Sequence, residues 1–147
     1  MNLQIRNYKP DDFAEVEKLW KDTGMGGAER GDDAEVIEET FKIGGKLLIL
    51  ENSVSGEIIG TSWLTNDGRR IYLHHFGIKP KYQGNGYSKI LLKASLDFAR
   101  NAGKQIKLEV HKNLSVATEL YKKAGFIYLG DYDVYIIRNY QSLNKNR

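Results

Sequence analysis

The chain has no cysteine. Disulfides, thiolate metal sites and a cysteine nucleophile are thereby excluded. Histidine is scarce too. The three present have no clustered acidic partners, so no metal site is expected. No apolar run approaches the roughly 20 residues of a membrane span. The N-terminal Met-Asn-Leu-Gln-Ile-Arg lacks the charged-then-apolar pattern of a secretion signal. The expectation is a soluble, cytoplasmic protein with no membrane partner. The net charge is only +3, too small to argue for a nucleic-acid partner. There is no internal repeat, linker or low-complexity stretch. The 147 residues read as a single domain, 1–147, with a polar, frayed tail over 141–147.

What is present is a mixed α/β pattern. Asn2 to Tyr8 alternates weakly and reads as a first strand. Pro10-Asp11-Asp12 opens a helix that puts Phe13, Val16, Leu19 and Trp20 on one face. Thr23 to Gly31 holds four glycines and reads as a mobile loop. Asp32 and Asp33 open a second helix, with Val36, Ile37 and Phe41 inward and Gly44-Gly45 closing it. Lys46–Glu51, Glu57–Leu64 and Ile71–Ile78 read as an antiparallel meander. A helix spans about Ser88 to Asn101, and a strand spans Ile106 to His111. Ser115 caps a short helix that Gly125 ends. Phe126–Leu129 and Asp133–Arg138 read as a final hairpin.

The most informative stretch is Pro80-Lys-Tyr-Gln-Gly-Asn-Gly-Tyr-Ser88, between a strand and a helix. Glycines there let the backbone bend toward a ligand, and the first-turn N–H groups of the helix have no intrahelical partner. With the helix dipole, they make a cradle for a phosphate-bearing ligand. It is not a P-loop: Ser88 follows Tyr87, and no lysine sits in the cradle. Nor is it a dinucleotide fingerprint. Gly84 and Gly86 are followed by Lys89 where a third glycine or alanine belongs, and Glu109 is discounted as a ribose contact. Lys79, Lys81, Lys89, Lys93, Lys112, Lys122 and Lys123 fall in the same half of the chain. They would attract a polyanion, or are simply solvated surface lysines.

The pattern Gln83-x-x-Gly86-x-Ser88 resembles the acetyl-CoA loop of the GNAT superfamily of N-acetyltransferases. A second match follows in order: Asn113, Ala117, then Leu120-Tyr121-Lys122-Lys123-Ala124-Gly125-Phe126. Ser88 departs from the family's glycine or alanine but is small. The resemblance implies an α/β (α+β) mixed sheet in the GNAT-like acyl-CoA N-acyltransferase order β-α-α-β-β-β-α-β-α-β-β. It implies transfer of an acetyl group from acetyl-CoA, as cosubstrate without a metal, to a primary amine by direct attack. The acceptor would be a small amine or a protein amine, and homodimers are common in the family. The alternative is a non-catalytic acyl-CoA sensor or docking module of the same fold.

The resemblance also assigns roles. The amides of Gln83, Gly84, Asn85, Gly86, Tyr87 and Ser88 would hold the pyrophosphate. Backbone groups of Phe76 and Ile78 would hold the pantetheine arm while their side chains pack in the core. A backbone N–H from Phe76 to Ile78 would stabilise the oxyanion, with Gly77 easing a bulge. Tyr121 would protonate the leaving thiolate, its phenol (pKa about 10) being protonated at neutral pH. Its plain alternative is packing. Asn113 either makes a turn or contacts the cofactor. His74 and His75 point to opposite faces of a regular strand, and some family members carry a histidine where His74 stands, so His74 is preferred as base. Residues from Trp20 to Phe41, including Met25, Glu29, Arg30, Asp32 and Asp33, would line the acceptor side, with Trp63 as a wall.

Overall fold

A computed structural model describes residues 1–146. The chain divides into two compact units, Met1–Glu109 and the remainder from Val110.

The first unit carries a five-stranded sheet in the order β1-β2-β3-β4-β5. The strands are β1 (Leu3–Asn7), β2 (Lys46–Asn52), β3 (Ile58–Asn66), β4 (Arg70–Ile78) and β5 (Gln105–Leu108). Neighbours are antiparallel except β4 and β5, which are parallel. Three helices accompany the sheet: α1 (Phe13–Asp22), α2 (Ala34–Lys42) and α3 (Tyr87–Asn101). α1 and α2 cover one face. Val16, Leu19, Trp20 and Ile37 pack with Leu47, Ile49, Ile58 and Trp63 in one buried cluster. α3 covers the other face, where Ser95 meets Ser62 at 2.7 Å between hydroxyls. Adjacent Thr61 turns the opposite way and accepts from the Trp20 indole at 3.0 Å. That alternation is why β2 and β3 read as continuous apolar runs: both their faces are buried. Burying a side chain the size of Trp20 contributes about 3 kcal/mol.

Local chemistry sets the ends of these elements. Asp33 caps α2, its carboxylate accepting from Val36 N–H at 2.9 Å. Val36 itself does not face inward, as expected for this helix, but is exposed beside that cap. Gly44 (φ 92) ends α2, and Gly45 N–H reaches back to the Thr40 carbonyl at 2.8 Å. Arg6 joins Asp12 at 2.8 and 2.9 Å and Glu51 at 2.7 Å, tying β1 and its neighbour β2 to the start of α1. The Thr23–Gly31 loop is closely bonded rather than loose. Met25 N–H donates to the Trp20 carbonyl (2.7 Å), Ala28 N–H to Glu17 (2.8 Å), and the Arg30 guanidinium to the Met25 carbonyl (3.2 Å).

β5 is shorter than expected and stops at Leu108. Glu109, just beyond it, accepts from the Tyr72 hydroxyl at 2.8 Å.

In the second unit, α4 spans Ser115–Ala124. Leu114, not Ser115, is its N-cap, because the turn from His111 to Leu114 delivers the chain one residue earlier. Gly125 (φ 108) ends α4, as expected. The expected final hairpin is not formed: among the described residues there is no strand after β5. Ile127, Tyr128, Tyr135 and Ile136 are each more than 60 % exposed, so alternation there is not matched by burial. A hairpin without a covered face has little to hold it. Tyr140–Asn146 form a 3₁₀ turn where fraying was expected, and residue 147 lies outside the described residues.

Candidate active site

Four features of the first unit meet where β4 ends. The first is a divergence of strands. The parallel pairing of β4 and β5 ends at Leu73↔Leu108, yet β4 continues from His74 to Ile78. The edge of β4 containing Phe76, Gly77 and Ile78 therefore runs on past its parallel neighbour.

The second feature is a bulge. Between β3 and β4 the register steps from Trp63↔His74 to Thr61↔Gly77, so His75 and Phe76 together oppose Ser62. The residue with the unusual backbone is His75 (φ 45), not Gly77. Histidine is one of the few residue types that enters this region with any frequency. Gly77 serves a different purpose: a Cβ there would lie 2.8 Å from the Met25 methyl carbon, so the α1–α2 loop rests directly on β4.

The third feature is the loop itself. Pro80–Tyr82 form a 3₁₀ turn, Gln83 donates its side-chain amide to the Ile78 carbonyl (2.9 Å), and Asn85 donates to the Tyr82 carbonyl (3.0 Å). Gly84 (φ 82) and Gly86 (φ 78) are left-handed, and nothing lies within 4 Å of where their Cβ atoms would be. Gly86 is the N-cap of α3 and no side chain caps that helix. Gln83 through Ser88 thus present an open glycine turn at an uncapped helix start.

The fourth feature is a staple that the sequence reading missed. Glu57 accepts from the Tyr82 hydroxyl, from Lys79 at 3.0 Å, and pairs with Lys81 at 2.9 Å. These donors, Tyr82 foremost, hold its carboxyl down at about 2. Lys79 and Lys81 are therefore already partnered, and Lys93 pairs with Asp97 at 3.0 Å. The basic field proposed for a polyanion is correspondingly weaker. Glu57 gave no motif signal, being 25 residues from Tyr82.

The two histidines of β4 differ. His74 stacks on Tyr72 (4.9 Å, 10° between planes), and its Nε2 lies 2.9 Å from the Thr65 hydroxyl. Burial first, and then the neighbouring His75, lowers its pKa below the ordinary value, so the ring is neutral at pH 7. His75 packs 4.2 Å from Trp20 and 5.4 Å from Trp63, centroid to centroid. Trp63 is 3 % exposed, stacked on Trp20 at 5.6 Å, and donates to the Thr40 hydroxyl at 3.1 Å. It is a wall behind His75 rather than an open surface.

In the second unit, Asn113 is exposed in a turn, its N–H donating to His111 Nδ1 at 3.2 Å. Tyr121 lies on α4, edge-on to Phe126 at 5.7 Å. It is buried, and burial pushes its phenol up to about 12. Among the described residues, no group of three or more histidine and carboxylate side chains is placed to hold a metal, and no helix is long and apolar enough to cross a membrane.

Residues 13–126 match the Acetyltransferase (GNAT) family. The chain belongs to that family. An acetyltransferase of Photorhabdus laumondii is 32 % identical over 90 residues, which is 61 % of this chain and 62 % of that protein, less than two thirds of its length. An acetyltransferase of Streptococcus agalactiae superposes with a TM-score of 0.75 at 23 % identity, over 92 % of this chain and 91 % of the other. A predicted acetyltransferase of Clostridium acetobutylicum, solved with acetyl-CoA, gives 0.72 at 17 % identity, over 92 % and 96 %. The fold is the GNAT fold that the loop motif implied, and the two histidines of β4 sit inside the matched family segment.

Proposed function

We propose that the chain is an acetyl-CoA-dependent N-acetyltransferase acting on a primary amine. One observation carries the reading: an open, left-handed glycine turn, Gly84 to Gly86, at an uncapped helix start directly after a strand that outruns its parallel neighbour. The N–H groups of Gly84 to Ser88, leading into the first turn of α3, bind the cofactor's pyrophosphate; Gln83 N–H is given to the Pro80 carbonyl at 3.2 Å, so Gln83 braces the turn instead. The β4 edge at Phe76 to Ile78 takes the pantetheine amides as a further strand would, and one of its N–H groups meets the oxyanion. Such a donor contributes roughly 3 kcal/mol to the transition state. The family match spans both compact units, which supports reading residues 1–147 as one acetyltransferase domain. The Clostridium acetobutylicum relative with acetyl-CoA supports that cosubstrate. Asn113 contributes to cofactor binding after β5.

Tyr121 donates the proton taken by the leaving thiolate. Its phenol, raised to about 12 by burial, remains protonated throughout the neutral range; the rise also makes it a weaker acid, so its part is to hydrogen-bond the sulfur and pass the proton as charge builds there. His74 is the base that the resemblance favours. Its neutrality suits that role, but its Nε2 is engaged by Thr65. Tyr121→Phe is the test: thiol release from acetyl-CoA across an amine panel should fall about a hundredfold with CoA affinity unchanged. Equal turnover would remove the role. CoA binding without turnover of any amine would favour a non-catalytic acyl-CoA module instead.

A further inference from the structure

His75 holds two unusual features at once. Its backbone is left-handed in mid-strand (φ 45), and its Nε2 is buried without a hydrogen-bond partner. Non-glycine residues in that backbone region persist only where the surroundings impose it. Here the surroundings are specific. The Thr61 hydroxyl donates to the His75 carbonyl at 2.8 Å and itself accepts from Trp20 at 3.0 Å. The imidazole is held against the Trp20 and Trp63 indoles. The bulge thus aims one ring at the α1–α2 side, where a regular strand would alternate His74 and His75 simply to opposite faces.

The group it is aimed at is Asp32. Its Oδ2 lies 3.3 Å from His75 Nε2, within reach of charge attraction but out of line for a hydrogen bond. The Asp32 side chain is 27 % exposed against 13 % for His75. The carboxylate is therefore the outer member of the pair, and an ammonium arriving from solvent meets it first. Asp33 next door is occupied as the cap of α2, so Asp32 is the acid at this helix start whose side chain has no capping duty. An orphaned buried nitrogen is costly unless a ligand completes it.

We propose that His75 and Asp32 form the acceptor-amine site, with His75 as the general base. This rests on the acetyltransferase reading above. Asp32 draws in the alkylammonium. His75 Nε2 takes one proton from it, and the freed nitrogen lone pair attacks the thioester carbonyl beside Phe76 to Ile78. The C–N bond forms and the C–S bond breaks. The second nitrogen proton balances the one that the thiolate takes up, and His75 returns its proton to solvent. One ammonium and one thioester give one amide, one thiol and one proton. A cationic primary alkylamine is thereby the substrate class.

The test uses His75→Gly, because glycine accepts the left-handed backbone and leaves a ring-sized space beside the stacked Trp20 and Trp63. Turnover with a panel of primary alkylamines should fall about a hundredfold, with CoA affinity near wild type; the cavity lowers Tm, so turnover is read at a temperature where thermal unfolding shows the variant folded. Added imidazole should restore turnover, and 1,2,4-triazole, of like shape but much weaker as a base, should not. Equal rescue by both would assign a space-filling role and overturn the proposal, as would turnover within twofold of wild type. Asp32→Asn, on the surface, should raise KM for the amine about tenfold while leaving kcat within threefold; an unchanged KM would remove Asp32. If the wild type binds CoA but acetylates no amine, the enzyme reading itself fails. If the wild type turns over and His75→Gly does too, only the present inference does.

Discussion

Two glycine-rich loops serve the sheet of the first unit, and glycine does different work in each. In Gln83–Gly86, the left-handed Gly84 and Gly86 face open space. In Thr23–Gly31, a Cβ on Gly26 would lie 2.6 Å from Arg30, and one on Gly27 would lie 2.6 Å from Glu17. The first loop uses glycine to shape a vacant turn. The second, at Gly26 and Gly27, uses it to let charged side chains close over the backbone. An empty Cβ position does not by itself mark a place for a ligand, since Gly24 (φ 77) and Gly31 (φ 91) are as open as Gly84 and Gly86; what sets the first loop apart is that its open glycines lead into the uncapped start of α3.

That contrast can be broken by substitution. Gly86→Val forces a β-branched residue into a left-handed turn, at a cost of about 1–2 kcal/mol. It should weaken CoA binding about tenfold or more by titration calorimetry. Unchanged affinity would mean the turn is not the phosphate site. Gly26→Ala carries a similar backbone cost of about 1–2 kcal/mol, but should appear as a lower Tm with CoA affinity within twofold. Lost CoA affinity without lost stability would erase the distinction between the loops. Glu57→Gln tests the staple that fixes the approach to the vacant turn. It should raise KM for acetyl-CoA about threefold by losing charge-assisted bonds to Tyr82, Lys79 and Lys81. A lower KM would show that the freed lysines matter more as a positive field than as a brace.

The smallest effect concerns the strand between the loops. The His74 pKa is lowered chiefly by burial. A base depressed in the fold contributes stability above its unfolded value, about 6.5, and loses it as pH falls through the folded value. His74→Gln should therefore lose about 2 °C less in Tm than wild type between pH 7.5 and 5.5. An equal acid loss would mean His74 is not a group that resists protonation.

What was legible in the chain follows from range. Helix faces such as Val16, Leu19 and Trp20, and a helix start at Asp32-Asp33, depend on residues within a turn or two; both are found, and of the two acids Asp33 is the cap. The loop at Gln83–Ser88 was equally local. The strand ends depended on a partner: β5 stopped early at Leu108, and Phe126–Arg138, alternating but exposed, formed no hairpin. The site details were the least local. Glu57 reaches Tyr82 across the sheet, and the left-handed turn at His75 is imposed by Thr61, Trp20 and Trp63 from three other places in the sequence. No spacing rule exposes such a residue.

Main-chain N–H groups gripping a diphosphate are the core of the proposed site. Amide chemical shifts of the labelled protein, followed during a CoA titration, test this most directly. Saturable shifts that are largest at Gly84, Asn85, Gly86, Tyr87 and Ser88, and small at Gly26 and Gly27, are predicted. CoA that binds while those five amides stay unmoved would contradict it.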